Sequence, residues 1–224
     1  MVLLHGLFSN AETNWLKFGH AREIASRGFR VIMPDLRGHG RSEAPHDPAA
    51  YPPDVLARDG MELIAHLGLK DYDLGGYSLG ARTSARMAIM GARPRKLVIS
   101  GMGLRGMLDV SRRAEAFRKV LTGLGTHERG SPAWMAEAFL KTTGVDPKAM
   151  LPLLDSFVDS TEDELRRLTM PTLVVSGAED DDNGPAQELA EILPNGRYES
   201  VPGNHMSAVT RPELGAAIAH FLAS

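Results

Sequence analysis

Gly76-Tyr77-Ser78-Leu79-Gly80 follows the apolar stretch from Asp71 to Gly75 and opens a helix-period segment near Leu79. A serine hydroxyl is a poor nucleophile at neutral pH. It needs to be held clear of its own backbone, near a base and beside preorganised N–H donors. The flanking glycines carry no side chains, so strand and helix can approach closely while the serine backbone takes an unusual conformation, and the helix N-terminus adds its dipole. With 23 glycines in 224 residues, the bare pattern G-x-S-x-G arises by chance in roughly one chain in ten, so its surroundings decide its meaning. Downstream, the carboxylates Glu179, Asp180, Asp181 and Asp182 follow another apolar run, and His205 lies in Pro202-Gly203-Asn204-His205-Met206.

Outward from the elbow, short apolar runs alternate with helical patterns, which predicts a parallel sheet covered on both faces. Strands are expected at Val2 to Leu4, Phe29 to Met33, Tyr72 to Gly75, Lys96 to Ser100, Thr172 to Ser176 and Arg197 to Val201. Helices are expected at Thr13 to Ser26, Pro53 to His66, Leu79 to Met90, Pro185 to Leu193 and Pro212 to Leu222. Pro53, Pro185 and Pro212 suit a first helical turn, where a missing N–H costs nothing. The alternation stops between Gly101 and Leu168. There, helical patterns follow one another at Ser111 to Leu124, Ser131 to Thr142, Pro147 to Phe157 and Thr161 to Leu168, the last behind a capping box at Thr161 and Glu164. The expected architecture is a doubly wound, mostly parallel sheet of about six strands. Residues 1–101 and 169–224 form its core, and 102–168 form a helical lid over the strand carboxyl ends, where open α/β sheets bind ligands.

At 43% hydrophobic content, the chain can bury one full core. A net charge of −3 and a pI near 6.2 supply neither a broad positive field for nucleic acid nor a polybasic membrane anchor. The absence of cysteine removes disulfides, thiolate metal sites and a cysteine nucleophile. Without a long apolar run or a basic leader ahead of Val2, the expected setting is soluble and cytoplasmic, with no membrane partner.

The chemistry concentrates in few residues. A turn at Gly6 would direct the N–H of Leu7 toward Ser78; with the N–H of Leu79 it would form an oxyanion hole, each such donor being worth about 3 to 4 kcal/mol in the transition state. His205 is the expected base, taking the Ser78 proton during attack and returning it to the leaving group. Among the four carboxylates, Asp180 is the expected partner of the His205 ring, with Asp181 and Asp182 as alternatives. His5 reads as a brace for the turn; with Gly6, Tyr77, Met102 and Met206 it also stands among residues expected at the substrate pocket. His20, His46, His66, His127 and His220 are assigned to surface or packing. No metal or cofactor is expected: a calcium loop at Glu179 to Gly184 would begin on glutamate and close on Ala190, which cannot ligate. Arg105, Arg112, Arg113 and Arg118 read as a solvated helix face, and Met102, Met107, Met135 and Met150 as core packing.

Taken together, His5-Gly6-Leu7, Pro34-Asp35-Leu36-Arg37-Gly38-His39-Gly40-Arg41-Ser42, the Ser78 elbow, Gly177 to Asp180 and Gly203-Asn204-His205 make this chain resemble the α/β-hydrolase family over essentially its whole length, specifically its lidded esterase-like members. The resemblance implies Ser78 as nucleophile, Asp180 as acid, His205 as base and Leu7 and Leu79 as oxyanion donors. It implies a serine hydrolase acting on a small or medium carboxylic ester. Thioesterase, lactonase, C–C bond hydrolase and cofactor-free perhydrolase chemistry use the same machinery, and a ligand-binding member without turnover is the rival from another class. Halide displacement and epoxide opening are disfavoured, because members with those activities carry aspartate at the nucleophile position. Family members usually have two strands ahead of the His-Gly turn, and here the sequence begins with that turn's own strand: either this start is internal to a longer gene product, or the sheet is trimmed, and in a trimmed sheet Phe29 to Met33 is expected as an exposed edge that brings association with a second copy or reduced stability.

Overall fold

Apolar runs too short for a helix and buried on both sides become four strands of a parallel sheet, and the more polar, largely exposed Gly196–Val201 becomes its edge. In the computed structural model, which describes residues 1–224, β1 (Val2–Leu4) leads through a π-helical turn (Glu12–Leu16) and α1 (His20–Ser26) to a 3-10 turn (Pro48–Ala50), α2 (Val55–His66), β2 (Leu74–Tyr77) and α3 (Leu79–Ile89). After β3 (Leu97–Ser100) come α4 (Leu104–Leu108), α5 (Val110–Thr122), α6 (Pro132–Thr143), α7 (Pro147–Asp155) and α8 (Glu162–Leu165). The chain closes with β4 (Thr172–Gly177), α9 (Ala186–Ile192), β5 (Gly196–Val201), α10 (His205–Ala208) and α11 (Pro212–Ala223).

All five strands are parallel, in the spatial order β1-β2-β3-β4-β5. Alternate residues feed opposite faces. Leu4, Leu74, Leu97, Ile99 and Val174 join one core with α2, α3, α9 and the apolar residues of α4 to α8. Leu3, Tyr77, Val98, Leu173 and Val175 join the other with Trp15, α1 and α11. The helices between β3 and β4 thus share a continuous core with one face of the sheet.

Three sequence expectations change. Phe29 to Met33 is no strand: it touches the sheet through one parallel bridge, Val2 to Ile32, held by Leu3 N–H to Ile32 O and Ile32 N–H to Met1 O at 2.9 Å each. Gly28 (φ +88°) turns the chain in just before it and Pro34 ends it, so five strands replace the expected six. The long helix expected from Thr13 to Ser26 breaks at Gly19, whose φ of +82° ends regular helix. The helix expected from Pro53 begins at Val55 instead, because Asp54 adopts φ +57° and turns its carboxylate to the buried Arg86 at 2.6 Å.

The connection from β1 runs outward to the Ile32 bridge and then back past β1 to β2. The carboxyl end of β1 is therefore the point where connections diverge and a crevice opens. Ser78 stands there at φ +53°, ψ −112°, a strained conformation costing about 1–3 kcal/mol. Its N–H donates to Ser100 O at 2.8 Å, and its carbonyl accepts from Arg82 N–H at 3.0 Å. Both flanking glycines are sterically required. A Cβ on Gly76 would lie 2.6 Å from Leu4 O, and one on Gly80 only 2.0 Å from that same oxygen.

The turn after β1 is held by two histidines kept neutral. Leu36 N–H donates to His5 Nε2 at 2.9 Å while His5 Nδ1–H donates to Gly6 O at 2.8 Å. Phe8 N–H donates to His39 Nε2 at 3.2 Å, and His39 Nδ1–H donates to Arg37 O at 3.1 Å. Each ring accepts at Nε2, which fixes the proton on Nδ1 and leaves no room for a second. Burial pushes His5 down to about 4 and His39 down to about 3, the nearby His5 ring adding to the shift of His39.

Gly80→Ala should cost at least about 2 kcal/mol through overpacking against main chain, seen as a fall of roughly 4–8 °C in Tm; an unchanged melt would show that α3 is free to move away from β1. The histidines set a second expectation. Each binds fewer protons folded than unfolded, so their contribution is complete above pH 6.5 and is lost as pH falls toward about 4 and 3. Asp35 and Asp146, whose pKa values lie below the ordinary 3.8, act only at lower pH. Thermal stability should therefore decline between pH 6.5 and 4, and His39→Gln, which keeps an acceptor, should be less stable at pH 7.5 but show a shallower decline.

Candidate active site

Four loops at the strand carboxyl ends meet at Ser78, which is half-buried. His205 Nε2 lies 3.0 Å from Ser78 Oγ, and His205 Nδ1 lies 2.9 Å from Asp180 Oδ2. The buried Asp180 carboxylate accepts the Nδ1–H, so Nε2 is left with a lone pair facing the serine hydroxyl. The hydroxyl, imidazole and carboxylate come from positions 78, 205 and 180 and form one hydrogen-bonded row.

Local sequence explains each placement. Asp180 follows β4 in a tight turn, its N–H donating to Gly177 O at 3.0 Å. That turn is knitted to the histidine loop by Glu179 N–H to Gly203 O at 3.0 Å. The loops are so close that a Cβ on Gly177 would sit 2.1 Å from Gly203 O. His205 opens α10, whose N-cap Asn204 accepts from Met206 and Ser207 N–H at 3.1 and 3.0 Å while Ser207 Oγ receives Asn204 N–H. The His205 ring bonds neither Asp181 nor Asp182: Arg105 donates to the main-chain carbonyl of Asp181 at 3.1 Å, and Arg113 pairs with the Asp182 carboxylate at 2.7 Å.

The turn after β1 has an instructive hydrogen-bond pattern. Gly6 N–H donates to Asn14 Oδ1 at 2.9 Å, Phe8 N–H to His39, and Ser9 N–H to Gly6 O at 3.2 Å. Between them, the N–H of Leu7 has no acceptor in the chain. Leu79 is the first residue of α3, where a helix leaves N–H groups without internal partners. A Cβ placed on Gly6 would be 3.7 Å from Ser78 Cβ, so the turn stands directly beside the serine. The unpartnered Leu7 N–H and the N-terminal turn of α3 therefore both lie near Ser78.

Other expected site residues fall differently. Gly6 is beside Ser78, and Met206 is 54% exposed next to His205. His5 is fully buried with both ring nitrogens bonded to main chain, so it braces the turn and does not face a ligand. Met102 belongs to the core, with its Sδ against Gly106. The Tyr77 side chain lies on the sheet face opposite α3, packed with the α1 and α11 core. The Asp35 to Ser42 segment is the hydrogen-bonded turn that its glycines and charges suggest. Asp35 accepts from Ala11 and Arg41 N–H at 2.8 and 2.9 Å, and a Cβ on Gly40 would strike its carboxylate. Of the arginines expected on a solvated face, Arg113 and Arg118 carry ion pairs, Arg118 with Asp155. Met107 and Met150 are fully buried, while Met135 is 54% exposed.

Sequence reasoning missed Asn14, His39 and Asn183. Asn14 fixes the Gly6 peptide from the π-helical turn. Asn183 donates from Nδ2 to Gly101 O at 3.0 Å and accepts at its carbonyl from Gly106 N–H at 2.9 Å, clasping the acid loop to the start of α4. A lone asparagine in a turn carries no pattern; only His39, inside the Asp35 to Ser42 segment, had a signal that could have drawn attention.

No helix is long and apolar enough to cross a membrane. A sequence model described as the Alpha/beta hydrolase family matches residues 1–218. The chain is 26% identical over 239 aligned positions to a non-heme haloperoxidase of Rhodococcus erythropolis, covering 90% of this chain and 85% of that protein. It is 36% identical over 90 residues to an epoxide hydrolase of Caballeronia sordidicola, covering 40% of this chain and 26%, about a quarter, of that relative. Among solved structures, a thermophilic esterase from Thermogutta terrifontis superposes with a TM-score of 0.75 at 26% identity, covering 99% of this chain and 88% of that one. A bromoperoxidase from Bacillus anthracis superposes at 0.78 with 24% identity over 100% and 91% of the two chains, a likeness of fold. With nearly every residue inside the family match and the same fold along its length, this chain belongs to the α/β-hydrolase family.

Proposed function

We propose that this protein is a serine hydrolase that cleaves small or medium carboxylic esters through an acyl-enzyme. The observation that carries the reading is the row Ser78 Oγ, His205 Nε2 and Nδ1, Asp180 Oδ2, with both contacts at 3.0 Å or less, beside the unpartnered N–H of Leu7. Ser78 attacks the ester carbonyl while His205 Nε2 takes its proton. Asp180 keeps the ring in the productive tautomer and stabilises the imidazolium. The N–H groups of Leu7 and Leu79 receive the negative charge of the tetrahedral intermediate. The imidazolium then protonates the departing alcohol, and water, deprotonated by the same nitrogen, releases the acid and restores Ser78.

The serine nucleophile separates this reading from epoxide opening and halide displacement, which in this family use aspartate. Thioesters, lactones and activated C–C bonds remain within reach of the same residues. The helices α4 to α8 are read as a lid over residues 102–168. Two contacts support this: Thr143 Oγ1 donates to Phe8 O at 2.6 Å, and Phe117 packs edge-on against Phe8 with ring centroids 5.3 Å apart, both on the turn beside Ser78. A binding protein without turnover is the competing reading, and no feature favours it over the intact row.

A fluorophosphonate probe should add one mass increment to the wild type and none to Ser78→Ala; an unlabelled wild type, or equal labelling of both, would overturn the hydrolase assignment. Ser78→Ala and His205→Ala should each lower kcat by at least about 10³-fold, and the double variant should be hardly worse, since groups that act as a unit lose their effect together. Esters and thioesters of graded acyl length, compared by kcat/KM, test the preference for small or medium esters.

A further inference from the structure

Tyr77 immediately precedes Ser78, yet its side chain points to the other face of the sheet. Its hydroxyl donates to the main-chain carbonyl of His205 at 2.6 Å in a buried contact spanning 128 residues of sequence. The two rings lie 5.4 Å apart between centroids at 41°. Gly101 backs the phenol: a Cβ there would come within 2.7 Å of Tyr77 Cζ, so the ring is wedged in place. The usual helical donor to the His205 carbonyl would be the N–H of Val209, but that group bonds Ser207 O. The phenol thus supplies a bond that the short α10 does not.

We propose that Tyr77 is a positioning residue, whose hydroxyl fixes the His205 main chain so that Nε2 stays within reach of Ser78. Adjacent residues then grip one histidine at two points: Ser78 meets the imidazole and Tyr77 meets the backbone that carries it. Asp180 restrains only the far side of the ring, and α10 is a single turn of four residues. Without the phenol, the loop from Gly203 can shift as a unit with Asn204 and Ser207, taking the imidazole with it. Misplacement of a catalytic group by about 1 Å costs on the order of 100-fold. A partial shift restrained by Asp180 is expected to cost less. This inference rests on the proposed serine hydrolase reading for its kinetic consequence and on geometry alone for its effect on the imidazole.

The test compares Tyr77→Phe with Tyr72→Phe. Tyr72 is another buried tyrosine, lying just before β2, and its hydroxyl accepts from Arg93 N–H at 3.0 Å, far from Ser78 in the same sheet. Both variants should melt lower. Tyr77→Phe alone should reduce kcat on the best ester by about tenfold with KM within about twofold, and alone should move or broaden the His205 imidazole ¹⁵N resonances. Equal melting losses with unchanged kcat and unchanged imidazole resonances in Tyr77→Phe would overturn the proposal. If the wild type neither turns over esters nor takes the fluorophosphonate, the hydrolase reading fails, and the imidazole resonances decide the role of Tyr77 by themselves. Should Tyr77→Phe not fold, the wild-type hydroxyl proton is measured: protection from exchange supports the clamp, and exchange as fast as that of the 36% exposed Tyr198 refutes it.

Discussion

Everything at this site depends on the closeness of Gly80 to the carbonyl of Leu4, where an added Cβ would lie only 2.0 Å from the oxygen. That approach seats the N-terminus of α3 against the carboxyl end of β1 and brings the two turns that follow β1 and β2 into one space. Gly76 meets the same oxygen, so the strand before Ser78 and the helix after it are both pinned to a single peptide group. The strained backbone of Ser78 persists because its own N–H and carbonyl are both bonded and because neither neighbour can relax without leaving β1. The turn after β1, with its unpartnered Leu7 N–H, and the first turn of α3 stand side by side as a consequence of this packing.

Histidine is used here in two ways, separated by what each ring bonds. His5 and His39 are fully enclosed, each accepting a main-chain N–H at Nε2, and desolvation holds them neutral. They act as rigid struts with a fixed tautomer. His205 also has a fixed tautomer, set by Asp180 Oδ2, but its Nε2 faces a hydroxyl proton and not a main-chain donor, and Ser78 beside it is half-buried. A proton arriving at Nε2 of His5 or His39 would break the turn that presents the Leu7 N–H. The difference lies in what each Nε2 faces.

Much of this was legible in sequence because it depends on residues with sharp physical signatures. The elbow glycines, the apolar strands and the order of Ser78, Asp180 and His205 each follow from a local rule, and Gly177 and Gly203 mark the loops that must touch. Fine placement was not legible. Phe29 to Met33 reads as a strand by composition, yet strand formation needs partners along its length and it finds one residue, Val2. His5 and Tyr77 stand next to reactive positions in sequence and were therefore expected in the pocket. Alternation along a strand turns Tyr77 to the opposite face, and a paired demand for an acceptor and a donor draws His5 into the core. Asn14 and Asn183 left no signature, because satisfying a stray amide or carbonyl can fall to any amide side chain that tertiary packing happens to bring there.

The acid loop joins the chemistry to the helices between β3 and β4. Asp180 holds the ring of His205, while the next residues of the same loop hold those helices: Asp182 pairs with Arg113 of α5, the Asn183 side chain donates to Gly101 O ahead of α4, and the Asn183 main-chain carbonyl accepts from Gly106 N–H within it. Gly103 and Gly184 are packed so tightly that a Cβ on the former would lie 2.0 Å from the carbonyl of the latter. Such packing leaves no slack between those helices and the loop that carries Asp180. The helices between β3 and β4 are therefore anchored, through α4 and the start of α5, to the loop that carries Asp180. The exposed Trp134 and Met135 of α6 take no part in these contacts. The row at Ser78 and the helices between β3 and β4 thus share one junction, the loop that runs on from β4 through Asp180 to Gly184.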